Sequence, residues 1–216
     1  KLALSLLYLF IILLIIPQSF TIPVKGATKN DYNPNSFWFY PWGKSGTHKG
    51  VDIFAKKGTP VLASTRGFTI STGNNKRGGK FILIIGPKLR LHYYAHLNDI
   101  YTKKGFWNNL GENIGEVGST GNAAGKPPHL HYSIISFIPH FWKLDNTPQG
   151  WKKMFFLNPI KFIEDFFFKK NIFLDFLKFR DSNKKQQKES TQQNNITLNL
   201  NNLLEIKRKS EEIQRK

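Results

Sequence analysis

The sequence predicts a mainly β protein: one antiparallel β-sheet domain followed by a C-terminal helical extension. Three observations lead there. From Gly58 to Ile135 the apolar residues fall in short runs broken by Gly, Asn and Pro, the spacing of strands and turns. After Asn158-Pro159 the pattern changes to Phe162-Ile163, Phe166-Phe167, Phe173-Leu174 and Leu177, near the helical period. A length of 216 residues suffices for one well-buried domain with extensions and is short for two.

Taken in order, Leu2 to Ile16 is an apolar run in which only Ser5 and Tyr8 are polar, with Lys1 before it and Pro17-Gln18 after it. This is the pattern of a signal-peptide core, and it falls short of the roughly 20 apolar residues that usually span a bilayer. Residues 1–25 are therefore expected to be a signal peptide or a membrane anchor. Residues 26–160 are expected to form the domain, with strands at Val61-Ala63, Phe68-Ile70, Phe81-Ile85, Leu91-Ala95, Ile114-Val117 and Leu130-Ile135. Asn74-Asn75 with Gly78-Gly79, and Gly86-Pro87, supply turns. Residues 161–180 read as an amphipathic Phe-rich helix with Lys169, Lys170 and Lys178 among its polar positions, packed on the sheet in preference to lying on a membrane surface. Residues 181–216 read as a polar, disordered tail rich in Asn, Gln and Lys, with a short polar helix from Leu203.

Charge narrows the partners. Lys and Arg number 32 against 14 Asp and Glu, a net charge of +18, which favours polyanions. Residues 161–216 hold 13 basic and 8 acidic side chains, so most of the excess lies in the body of the chain. Anionic envelope polymers or a membrane surface fit this charge. Nucleic acid is not expected, because no motif interleaves aromatics with basic residues and the leading apolar run directs the chain away from the cytosol. With no cysteine, a metal site would have to use His and carboxylates.

Three segments carry such groups: His48-Lys49-Gly50-Val51-Asp52, Tyr93-Tyr94-Ala95-His96-Leu97 and His129-Leu130-His131. Strand alternation puts His129 and His131 on one face, with Leu130 on the other. His48 and Asp52 are expected in a glycine-containing loop leading into Val51-Phe54. A catalytic zinc takes three N or O ligands and leaves a fourth position for water; two His and one Asp meet that count, and two His remain for proton transfer. Each segment alone is a weak signal. Their order is specific, with Gly50 before Asp52 and a glycine-rich approach from Gly115 to Gly125 before His129. His92 shares strand parity with His96 and Tyr94, yet reads better as a partly exposed strand residue than as a groove residue. His140 reads as structural, and Trp38, Tyr40 and Trp42 as packing aromatics.

On HKGVDIFAKKGTPV (48–61), LHYYAHL (91–97) and GENIGEVGSTGNAAGKPPHLHYS (111–133), the chain resembles the LytM/lysostaphin family of zinc metalloendopeptidases, which hydrolyse peptidoglycan. The resemblance covers about residues 45–160. It implies an antiparallel sheet with a groove over a Zn2+ ion, His48, Asp52 and His131 as zinc ligands, and His96 and His129 as catalytic residues. It also implies a peptidoglycan peptide substrate and export to the cell envelope, whether periplasmic, membrane-anchored or secreted. The sequence departs from the pattern after His131, where Tyr132-Ser133 stands in place of the frequent Phe-Glu; Tyr132 is expected to face away from the ligands. The alternative is a catalytically inactive wall-binding relative that activates another hydrolase, which would be expected to lack one or more ligands.

Overall fold

The computed structural model describes residues 2–214. The chain forms two compact units, residues 1–166 and 167–216. The first holds nine strands of one antiparallel sheet: β1 (Val51–Phe54), β2 (Pro60–Leu62), β3 (Gly67–Asn75), β4 (Gly79–Gly86), β5 (Arg90–Ile100), β6 (Trp107–Asn108), β7 (Asn113–Val117), β8 (His129–Ser136) and β9 (Phe156–Leu157). The main order is β1-β8-β5-β4-β3-β6; β7 joins β5 to β2, and β9 pairs with β8.

Each expected strand is present, because each apolar run alternates between two faces. In β8, Leu130, Tyr132 and Ile134 are fully buried, opposite Ile53 of β1 and beside Tyr94 of β5. In β4 the corresponding residues are Ile82 and Ile84. The other face presents His129, His131, Ser133 and Ile135 of β8, Leu83 of β4, and Tyr93 and Ala95 of β5 to an open groove. The apolar layer fixes the register. A one-residue slip of β8 would exchange its isoleucine and histidine faces, and truncating a buried side chain such as Leu130 to alanine costs about 2–5 kcal/mol.

The core extends further toward the amino end than the expected boundary at residue 25. Ile22 and Val24 are buried, Val24 bridges Val61, and Leu62 donates its N–H to the Pro23 carbonyl at 2.8 Å. Residues 21–25 thus run along β2 as part of the domain. Before them, α1 (Leu2–Ile15) is helical, and no described helix is long and apolar enough to cross a membrane.

Helix α2 runs from Pro159 to Gln214. Asn158 caps it, its Oδ1 accepting the Ile160 N–H at 3.0 Å, with proline at the first helical position. Ile160 and Ile163 are buried, whereas Phe168, Phe173, Phe176 and Phe179 of the expected amphipathic segment are exposed. Residues 181–214 are helical where the sequence reading gives a disordered tail. No Gly or Pro follows Pro159, Lys, Glu and Gln are good helix formers, and Lys185 reaches Glu189 one turn on at 3.9 Å. Low apolar content, which suggested disorder, does not prevent a solvated helix.

Candidate metal centre

The β1–β8 register sets Asp52 directly opposite His131, and the β5–β8 register sets Ala95 opposite His131. Asp52 therefore projects from a strand instead of the expected loop. His48, just upstream of β1, completes a cluster of three. His48 Nε2 lies 3.1 Å from Asp52 Oδ1 and 3.1 Å from His131 Nδ1, and His131 Nδ1 lies 2.7 Å from Asp52 Oδ1.

The protonation pattern gives this cluster its character. His48 Nδ1 sits 2.9 Å from the Ser36 carbonyl; a carbonyl only accepts, which assigns the proton to Nδ1 and leaves a lone pair on Nε2. Nε2 is thus the His48 nitrogen turned toward the Asp52 carboxylate and His131, as a ligand nitrogen would be. Burial by itself would raise the Asp52 pKa, but His131 and His48 more than offset it, and the net shift is downward. An anionic oxygen and imidazole nitrogens at these separations match the donor chemistry of a divalent zinc site, whose ligand bonds are about 2.0–2.2 Å.

Two further imidazoles stand beside the cluster. The His129 ring is 5.1 Å from that of His96, and the His96 ring is 6.0 Å from that of His131. His129 Nδ1 donates to the Pro127 carbonyl at 2.8 Å and His96 Nδ1 to the Thr120 carbonyl at 2.9 Å. Both rings are thereby held in one tautomer, with Nε2 as acceptor. Burial first, then the neighbouring His131, pushes the His96 pKa down to about 4, so His96 is neutral at pH 7. All five residues line one groove of about 1350 Å³.

A sequence model for peptidase family M23 matches residues 46–140. The chain carries a peptidase family M23 domain. Among relatives, an L-Ala--D-Glu endopeptidase of Bacillus subtilis is 38% identical over 63% of this chain and 44% of its own length. Peptidoglycan DD-endopeptidase ShyA of Vibrio cholerae is 32% identical over 55% of this chain and 27% of its own length. The chain thus spans less than half the length of these curated relatives. Among solved structures, the antimicrobial peptidase lysostaphin from Staphylococcus simulans aligns with a TM-score of 0.51 at 28% identity, over 68% of this chain and 56% of that one.

Within the M23 domain, glycines make the close approaches that bring the segments together. A Cβ on Gly50 would lie 2.4 Å from the Tyr132 carbonyl oxygen, 2.5 Å from Ser133 Oγ and 2.9 Å from His131 Cε1. Gly79 and Gly121, both at positive φ, stack so tightly that a Cβ on Gly121 would meet the Gly79 nitrogen at 2.2 Å. This approach sets Thr120 against the β3–β4 hairpin, where its hydroxyl accepts from Lys80 N and donates to the Leu97 carbonyl, both at 2.9 Å, while its own carbonyl receives His96.

His92 corrects the parity argument. His96 has φ 66°, a left-handed conformation that interrupts the alternation of β5. The groove side of β5 is consequently Tyr93, Ala95 and His96, whereas His92 is fully buried, bonded to the Tyr132 hydroxyl at 2.6 Å and to Gln18 Nε2 at 2.9 Å. Two further residues neighbour the site: Trp42, read from the sequence as a packing aromatic, and Ser133, which has no signature in the sequence. Trp42 stacks on His48 with centroids 4.2 Å apart, and Ser133 Oγ lies 3.0 Å from His131 Nε2, fixing the ring from behind. Tyr132 faces away from the cluster as expected, into the core.

Proposed function

We propose that this chain is a zinc-dependent endopeptidase that hydrolyses peptide bonds in the cross-links or stem peptides of bacterial peptidoglycan. One observation carries the reading: His48, Asp52 and His131 turn three ligand atoms toward one another at the floor of a groove, with two more imidazoles offering Nε2 alongside. The names of the relatives supply the substrate class, and they specify different bonds.

In this reading His48 Nε2, Asp52 Oδ1 and His131 Nδ1 hold the ion. A zinc ion held by these three residues would supply Lewis acidity, which polarises a carbonyl and brings the pKa of water to about 7. His129 and His96 handle protons. Because the Pro127 and Thr120 carbonyls hold both Nδ1–H groups, each ring accepts a proton only at Nε2. The ring that accepts one from water becomes a donor at the same atom, able to bond a developing oxyanion or to return the proton to the leaving amine. The left-handed backbone at His96 and the carbonyl anchors reduce the reorganisation needed for that transfer.

The inactive wall-binding alternative is disfavoured, since the chain keeps all three ligand types and both neighbouring imidazoles. Action outside the cytoplasm follows from the substrate, with the apolar run Leu2 to Ile16 as the core of an export signal or anchor expected over residues 1–25. Digestion of purified peptidoglycan by the zinc-loaded protein, with mass spectrometry of the fragments, tests the proposal. New amino termini at peptide bonds are expected; intact muropeptides after digestion at full zinc occupancy would refute it.

A further inference from the structure

The groove carries a charge asymmetry that zinc chemistry does not require. Its lining includes five cationic side chains, Lys44, Lys49, Arg77, Lys126 and Lys152, and a single carboxylate, Asp52, which belongs to the metal cluster. None of the five forms an ion pair among the described residues, whereas Lys80 and Lys153, outside the lining, pair with Asp99 and Asp145. Five cations thus line the groove with no ion pair among the described residues to neutralise them.

Lys49, Lys152 and Arg77 are three of these lining cations. Lys49 is one residue from the ligand His48, and its Nζ is braced by the carbonyls of Ser45 at 2.9 Å and Thr47 at 3.3 Å. The same Nζ lies 5.8 Å from the centroid of the Trp38 ring. Lys152 and Arg77 line the same groove with the same sign of charge, and the groove's single carboxylate, Asp52, is engaged by His48 and His131. Such a cluster costs free energy in the unliganded protein and becomes favourable when an anionic oxygen enters.

Resting on the peptidoglycan reading above, we propose that Lys49, Lys152 and Arg77 form a carboxylate-binding subsite beside the metal centre. It would select peptides bearing a free carboxylate near the scissile bond over neutral bridges such as oligoglycine. Lys49 is the fixed member, pre-positioned by its two carbonyls; Arg77 is exposed and Lys152 half-buried, so both can adjust to the ligand. Charge-assisted hydrogen bonds of this kind are stronger than neutral ones, and loss of one typically weakens binding about tenfold, which is about 1.4 kcal/mol.

The test compares two synthetic stem peptides identical except that the carboxylate flanking the scissile bond is free in one and amidated in the other. With the zinc-loaded full chain, the free-acid peptide is expected to show at least tenfold higher kcat/KM, expressed in KM, with the preference shrinking between 50 and 500 mM salt. In Lys152→Gln/Arg77→Gln, which leaves the braced Lys49 in place, the ratio between the peptides is expected to fall several-fold toward one. Equal cleavage of both peptides by the unaltered chain would overturn the subsite while leaving the endopeptidase reading intact. Cleavage of neither peptide, nor of whole peptidoglycan, would overturn both.

Discussion

Replacing Gly50 with alanine tests whether strand packing sets the geometry of the metal cluster. The new Cβ would sit 2.4 Å from the Tyr132 carbonyl oxygen, a backbone atom that cannot rotate away. The strands must open by roughly 0.6 Å before that separation reaches a tolerable 3.0 Å, against a tolerance of about 0.2 Å in metal-ligand distances. The same Cβ presses on His131 Cε1 and Ser133 Oγ, so the displacement is delivered to a ligand ring and to the hydroxyl behind it. Overpacking of this size costs about 1–3 kcal/mol, a fall of several degrees in Tm for a chain of this length. Zinc affinity is expected to fall at least tenfold, since the β1–β8 spacing carries both Asp52 and His131. Competition against a chromogenic chelator gives the affinity and circular dichroism gives the Tm. A Gly50→Ala protein with unchanged values of both would show that the Asp52–His131 spacing does not depend on this close approach.

Ser133→Ala removes the hydroxyl behind His131 and is expected to weaken zinc about 10–100-fold, the range for a lost partner of a ligand imidazole, with little change in Tm; chelator competition checks it, and unaltered affinity would deny Ser133 a positioning role. His131→Ala is expected to lose zinc and hydrolysis together, whereas His129→Ala retains most of its zinc and loses hydrolysis by about 10²–10⁴-fold; equal zinc depletion in both, by elemental analysis, would invalidate the division of roles. His92 gives a pH dependence of stability. Burial, then the charge of Arg90, depresses its pKa to about 3, so above pH 6.5 it is neutral in folded and unfolded chains alike and contributes nothing. As pH falls below 6.5 the unfolded chain binds a proton that the fold refuses, and stability drops by about 2 kcal/mol at pH 5. Urea unfolding at pH 7.5 and pH 5 is expected to show that loss in the unaltered chain and a smaller one in His92→Gln; equal losses would deny His92 the effect.

Much of the fold was legible because burial on one face of the sheet leaves a period-two record, as in Leu130, Tyr132 and Ile134 of β8. The same alternation placed His129 and His131 together correctly. It did not carry through to His96, where a single left-handed residue changes the facing of β5 without any glycine to announce it, and His92, expected to be partly exposed, lies buried on the core side with Tyr94. Gly50 and Gly121 were visible as letters, but their purpose, close approach to Tyr132 and Gly79, depends on segments distant in sequence. β6 and β9 are two residues each, too short to show a period. Asp52 read as a loop residue because its strand spans only Val51–Phe54 and follows a glycine. Trp42 and Ser133 touch the cluster through stacking and a hydroxyl group that no spacing rule encodes.

The central claim is that His48, Asp52 and His131 share one zinc ion, and anomalous diffraction from crystals of the zinc-loaded chain at the zinc absorption edge tests it most directly. A single strong peak is expected about 2.0–2.2 Å from His48 Nε2, Asp52 Oδ1 and His131 Nδ1, with His129 and His96 outside bonding distance. A zinc peak elsewhere, or one ligated by His129 in place of His131, would contradict the account.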